Sequence, residues 1–166
     1  MGPECTGKTR LAQLLATHYK TVCVAEYARE YCEKLKRKYT LDDIEFIARK
    51  QLEIENELLK KANKIIFSDT ELIISKIWAE DVFKTLPKWI AENLEQTKYN
   101  LYLLLSTDIP WQADSVRENG DRREYFFDLY ESEIKKLGAP YSVIAGAGEI
   151  RMDNCISCIE KFLNKK

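Results

Sequence analysis

A three-layer α/β fold, with a parallel sheet flanked by helices on both faces, follows from three observations on this 166-residue chain. Short, almost wholly apolar runs alternate with longer stretches whose apolar residues recur at helical spacing. Each apolar run lacks the polar alternation of a half-exposed strand, which fits a sheet covered on both faces. Acids stand just past the ends of several runs, the region where open parallel sheets bind ligands.

Taken in order, Gly2-Pro3-Glu4-Cys5-Thr6-Gly7-Lys8-Thr9 precedes a first helix whose face is Leu11, Leu14, Leu15 and Tyr19. Thr21 to Ala25 reads as a short strand. Thr40, with Asp43 three residues on, resembles a capped helix start, although Glu or Gln is the commoner partner. That helix carries a stripe of Ile44, Ile47, Gln51, Ile54, Leu58 and Ala62. Lys64 to Asp69 is a second strand ending in an acid, Leu101 to Ser106 a third, and Tyr141 to Ile144 a fourth. Helices are expected over Glu71–Val82 and Trp89–Gln96. Two more are expected from near Asp121 to Gly138, which Pro140 follows, and over Ile150–Leu163.

Composition bounds the function. An apolar share of 45% and a charged share of 32% are those of a folded globular domain, read here as one domain over 1–166. A formal net charge of −1 offers no electrostatic case for nucleic acid or an anionic membrane. No apolar run reaches membrane-spanning length and no signal peptide is present, so a cytoplasmic location is expected. Five cysteines form no even disulfide framework, and Cys155 and Cys158 suit packing positions on a terminal helix better than a metal site.

The opening segment fits G-x-x-x-x-G-K-[ST], a loop whose backbone N–H groups wrap nucleotide phosphates. Gly2, Pro3, Glu4, Cys5, Thr6, Gly7, Lys8, Thr9 and Arg10 are therefore the expected ATP contacts, with Lys8 reaching the β- and γ-phosphates and Thr9 holding Mg²⁺. Cys5, inside this loop, is expected to be an alkylatable thiol that MgATP protects. Asp69 ends an apolar strand, where an acid either holds Mg²⁺ or caps the following helix; beside an intact phosphate loop the metal role is the expectation. Arg117, Arg122 and Arg123 flank Gly120 in a polar stretch that suits a lid over ATP, about residues 112–124. Glu26 either accepts a substrate proton, binds ribose, or complements the dipole of its helix, and spacing alone does not separate these roles.

Together Gly2–Thr9, Glu26-Tyr27-Ala28-Arg29, Asp69-Thr70 and the segment Asp108-Ile109-Pro110-Trp111-Gln112-Ala113-Asp114-Ser115-Val116-Arg117 resemble the ribosylnicotinamide kinase domain of NadR-type proteins. The resemblance covers nearly the whole chain. It implies a P-loop kinase that phosphorylates the 5′-hydroxyl of nicotinamide riboside with ATP and Mg²⁺, giving nicotinamide mononucleotide for NAD salvage. It further implies Glu26, Tyr27, Arg29, Trp111 and Asp114 around the nucleoside, with Lys8, Glu26, Asp69 and the arginines catalytic. Trp111 either stacks on the pyridinium ring or packs beside Pro110 in the core, and both readings stay open. Three positions depart from the family: Cys5 replaces a usual Ser, Ala25 stands where some members carry Trp, and Ser115 replaces a common Gly. The single histidine, His18, leaves no H-x-G-H motif, so synthesis of NAD from the mononucleotide is not expected.

Two alternatives remain: a P-loop kinase for another nucleoside or small metabolite, and a non-catalytic ATP-binding regulator, for instance of a vitamin transporter. The phosphate loop normally follows a buried central strand, and only Met1 precedes it here. The expectation is therefore that an apolar strand lies upstream of Met1.

Overall fold

The computed structural model describes residues 1–97, 99–112 and 120–164. The described chain forms two compact units, Met1–Leu15 with Tyr99–Lys166, and Ala16–Lys98.

In the first unit, β3 (Tyr102–Leu105) pairs in parallel with β4 (Tyr141–Ile144), with Leu104 opposite Val143. Met1 lies along β3 as well: its amino group donates to the Leu103 carbonyl at 2.8 Å, and Leu105 N–H donates to the Met1 carbonyl at 2.9 Å. The helix α6 (Arg123–Lys136), preceded by a 3-10 turn at Gly120–Arg122, packs on β3, and α7 (Gly148–Leu163) packs on β4. Leu104, Leu105, Ile134, Cys155 and Ile159 are buried in this unit. Cys155 is a packing thiol: burial pushes it up to about 12, which removes the thiolate that a metal or an oxidant needs. Both Cys155 and Cys158 are free.

In the second unit, β1 (Cys23–Val24) pairs in parallel with β2 (Phe67–Ser68). Around them lie α2 (Tyr27–Lys34), α3 (Leu41–Leu59), α4 (Leu72–Phe83) and α5 (Lys88–Gln96). The α3 stripe packs on α2, α4, α5 and β1, burying Ile44, Ile47 and Ala48. Ladder pairing is shorter than the apolar runs that announced it. Lys64 takes a left-handed φ of 66° just before Ile65, and only Phe67 and Ser68 pair with β1.

The predicted α3 start forms with aspartate in the role usually filled by glutamate. Thr40 Oγ1 accepts the Asp43 N–H, and the Asp43 carboxylate accepts the Thr40 N–H at 2.7 Å, a complete capping box. Asp43 also accepts two hydrogen bonds from Arg37 and one from the Tyr31 hydroxyl. The Arg37 bonds hold its carboxyl well below the usual carboxylate range, against burial, which acts to raise it. A depressed folded value stabilises above the unfolded carboxylate pKa, and that stabilisation is lost as pH falls. Asp43→Ala should cost about 2 kcal/mol near neutral pH, a thermal midpoint lower by about 4–8 °C. The gap to the parent chain should narrow in melts near pH 2.5. A gap unchanged by acid would rule out the ion pair as its source.

Candidate functional site

The phosphate loop belongs to the first unit. Its backbone turns through left-handed conformations at Gly2 (φ 147°), Cys5 (φ 61°) and Gly7 (φ 82°) before α1 (Lys8–His18) begins. Gly2 is required on two counts: its φ, and the absence of a Cβ that would stand 2.9 Å from the Leu105 carbonyl of β3. The Gly7 carbonyl accepts the Leu11 N–H, so the loop passes directly into a helix N-terminus, the favourable pole for an anion. Thr6 is fully buried and its hydroxyl donates to the Pro3 carbonyl at 2.9 Å. The Lys8 ammonium donates to that same carbonyl at 2.9 Å, folded back over the loop. Thr9 and Arg10 are exposed, and Glu4 is half-buried.

The segment after β3 closes onto this loop. Gln112 N–H donates to Cys5 Sγ at 3.2 Å, and the thiol lies 3.8 Å from the Pro110 carbonyl. Trp111 packs against Gly120, where any Cβ would run into the indole ring. Arg122 stacks its guanidinium over Tyr125 and Phe126, each at 4.8 Å. Arg123 is buried and donates to the Thr107 carbonyl at 3.1 Å, while its Nε has no hydrogen-bond partner among the described residues. Asp114 and Arg117, and the stretch 113–119 of the expected lid, lie outside the described residues.

Asp108, one of the acids past a strand end, is engaged by another residue of the same unit. Arg151 of α7 pairs with its Oδ1, and its Oδ2 accepts the Gly146 N–H at 2.6 Å. Burial acts to raise the Asp108 carboxyl, but these bonds and the Arg151 charge hold it below its ordinary value.

In the second unit the two turns that follow β1 and β2 are joined by one side chain. Gln51 of α3 is buried; its Oε1 accepts the Tyr27 N–H at 2.9 Å, and its Nε2 donates to the Ala25 carbonyl at 3.0 Å and the Thr70 carbonyl at 3.5 Å. This amide caps α2 in place of a conventional N-cap, since Glu26 at that position makes no capping bond. The Glu26 carboxylate instead lies 3.8 Å from Arg29 Nε.

Asp69, Thr70 and Glu71 are consecutive, buried and under-satisfied. Both Asp69 oxygens, Thr70 Oγ1 and Glu71 Oε1 have no hydrogen-bond partner among the described residues. Runs of unsatisfied buried polar atoms are rare in folded proteins, and such atoms call for a partner such as a water, an ion or a ligand. The α4 cap is Glu71, whose Oε2 accepts the Ile73 N–H at 2.8 Å, so Asp69 is not capping that helix. Burial raises the Glu71 carboxyl to about 7, partly offset by that backbone bond. Burial, and then the Asp69 charge, push the neighbouring Cys23 thiol up to about 11.

This donor chemistry fits Mg²⁺. The ion takes one or two carboxylate or hydroxyl ligands and completes its shell with water and phosphate oxygens. Among the described residues no group of three His, Cys, Asp or Glu side chains gathers to hold a softer metal. No helix among them is long and apolar enough to cross a membrane.

Gln51, Arg151 and Glu71 were not singled out from sequence. The first two carry a shared signal: each is a polar residue set in an apolar stripe, Gln51 among Ile44, Ile47 and Ile54, and Arg151 in line with Cys155 and Ile159.

The pattern of the AAA domain family matches residues 1–151. The trifunctional NAD biosynthesis/regulator protein NadR of Salmonella typhimurium is 22% identical over the whole chain, and that of Escherichia coli is 26% identical over 75% of it. The chain spans 42% and 32% of those proteins, less than half of either. Among solved structures, NadR in complex with NAD and AMP-PNP superposes with a TM-score of 0.77 at 23% identity, over 98% of this chain and 48% of that one. NadR in complex with NR superposes with a TM-score of 0.76 at 22% identity, over 98% and 49%. These structural likenesses show a shared α/β fold.

Proposed function

From the premise that the chain belongs to the AAA domain family, we propose that it is an ATP-dependent kinase that phosphorylates the 5′-hydroxyl of nicotinamide riboside to give nicotinamide mononucleotide. The observation that carries this reading is the Asp69 carboxylate, buried and without a hydrogen-bond partner among the described residues, in a chain with an intact phosphate loop. The choice of nucleoside is supported by the similarity to NadR along the whole chain and by the NR complex of a structural neighbour.

In this reading Gly2 to Arg10 hold the triphosphate, with Lys8 on the β- and γ-phosphates. Thr9 and Asp69 would hold Mg²⁺, which supplies positive charge to the phosphate oxygens. Glu26 takes the proton of the 5′-hydroxyl as that oxygen bonds to the γ-phosphorus; the bond to the bridging oxygen breaks and ADP leaves with its electron pair. Tyr27, Arg29, Trp111 and Asp114 orient the nucleoside, and Arg117, Arg122 and Arg123 offset charge on the travelling group. The ATP-bound protein acts as a soluble cytoplasmic enzyme of NAD salvage.

A panel of nucleosides with MgATP and an ADP readout tests the proposal. Nicotinamide riboside should turn over fastest, with one mononucleotide formed per ADP. Faster phosphorylation of another nucleoside would replace the substrate, and ATP binding without any phosphorylation would favour a regulatory role. MgATP should also slow alkylation of Cys5 at least several-fold, because the thiol lies within the loop that the phosphates would fill. Equal labelling with and without nucleotide would contradict phosphate binding there.

A further inference from the structure

We propose that Arg151 is a positioning residue for nucleotide binding, holding the Thr6–Gly7 peptide so that the Gly7 N–H faces the phosphates. This rests on the phosphate loop being the nucleotide site, and not on which nucleoside is phosphorylated.

Arg151 is on the first turns of α7 and is 3% exposed. Its guanidinium spreads four bonds over three separate segments. Nη1 donates to the Thr6 carbonyl inside the phosphate loop. Nε donates to the Gly146 carbonyl in the turn after β4, and Nη2 donates to the Ser106 carbonyl at 3.2 Å and to Asp108 Oδ1 past the end of β3. Asp108 in turn accepts the Gly146 N–H, so carboxylate and guanidinium brace each other.

In a trans peptide the carbonyl and the following N–H point in opposite directions, and no described peptide bond is cis. Fixing the Thr6 oxygen toward Arg151 therefore aims the Gly7 N–H away from it. Glycine at position 7, with φ of 82°, leaves this peptide sterically free to flip. A flipped peptide would turn the carbonyl dipole toward an incoming phosphate and repel it. The sequence thus places its most permissive residue where an anion must approach, and a buried arginine removes the freedom this creates. A guanidinium suits the task because its planar donors reach several acceptors at once, which a lysine ammonium cannot reproduce in that fixed geometry.

The test is MgATP affinity by calorimetry, without nucleoside, on the full chain. Arg151→Met should weaken binding at least tenfold, and Arg151→Lys nearly as much, since charge alone does not orient the peptide. Asp108→Asn removes only the brace; it should weaken binding several-fold with a thermal midpoint close to that of the parent chain. In turnover assays the KM for ATP should rise in Asp108→Asn while the KM for the nucleoside stays within about twofold, a split that general loosening would not produce. Parent-like affinity in Arg151→Lys, or in Asp108→Asn, would overturn the assignment. A parent chain that binds MgATP but phosphorylates no riboside would remove the proposed substrate and leave this inference standing. One that binds no nucleotide would remove both.

Discussion

Lys8→Ala is expected to lower turnover by ~10³-fold or more while the chain stays folded, because phosphoryl transfer depends on fixed positive charge where negative charge develops. The loop does not need the lysine for its shape. The Pro3 carbonyl that accepts the Lys8 ammonium also accepts the buried Thr6 hydroxyl, so it remains satisfied when the amine is removed. Gly2 and Gly7 retain their left-handed conformations for reasons of backbone and packing unrelated to position 8. A circular dichroism melt beside a steady-state assay reads both halves of the expectation. A variant with parent-like turnover would remove the phosphate loop from the chemistry; one that fails to fold would show that Lys8 is structural.

Asp69→Asn should move activity and stability in opposite directions. Asp69 is 2% exposed and neither carboxylate oxygen is hydrogen-bonded among the described residues, so its burial there is costly. Replacing it with a neutral group of equal size relieves part of that cost. About 1 kcal/mol of relief corresponds to a midpoint higher by roughly 2–4 °C in a chain of this length. The same change removes the anionic oxygen that would hold the metal, and kcat should fall on the order of 10²-fold or more. Added Mg²⁺ should raise the midpoint of the parent chain with ATP present and raise that of Asp69→Asn much less. A variant that is both less stable and fully active would mean that the carboxylate has a structural partner and no role with the cation.

Local features were legible in the sequence. The phosphate loop is contiguous, its two glycines occur where the backbone turns left-handed, and helix α1 follows at once. Thr40 and Asp43 announced the start of α3, and Asp69 announced the end of β2. The alternation of apolar runs and amphipathic stretches led to α/β architecture with parallel pairing. Strand extents were less legible. Apolar composition reports burial and not hydrogen bonding, so Ile65 and Ile66 resemble strand residues although the ladder begins at Phe67.

The residues that shape the sites were hidden for a different reason. Arg151 reaches Thr6 across 145 positions, and Gln51 reaches Ala25 across 26. Their acceptors are main-chain carbonyls, which no residue type betrays. Only the interruption of an apolar stripe by one polar side chain marked them, and that signal says a partner is needed without saying where it is. Glu71 was obscured by its neighbour: Asp69-Thr70 resembles a helix cap, and the cap is formed by the next residue.

The proposed reaction moves the γ-phosphoryl group of ATP to the 5′-oxygen of nicotinamide riboside. The most direct measurement is phosphorus NMR of the chain incubated with MgATP and the riboside. A phosphomonoester signal coupled to the 5′-methylene protons, growing in step with ADP and absent with Lys8→Ala, is the predicted result. ATP that persists, or ADP that accumulates with free phosphate and no riboside ester, would contradict it.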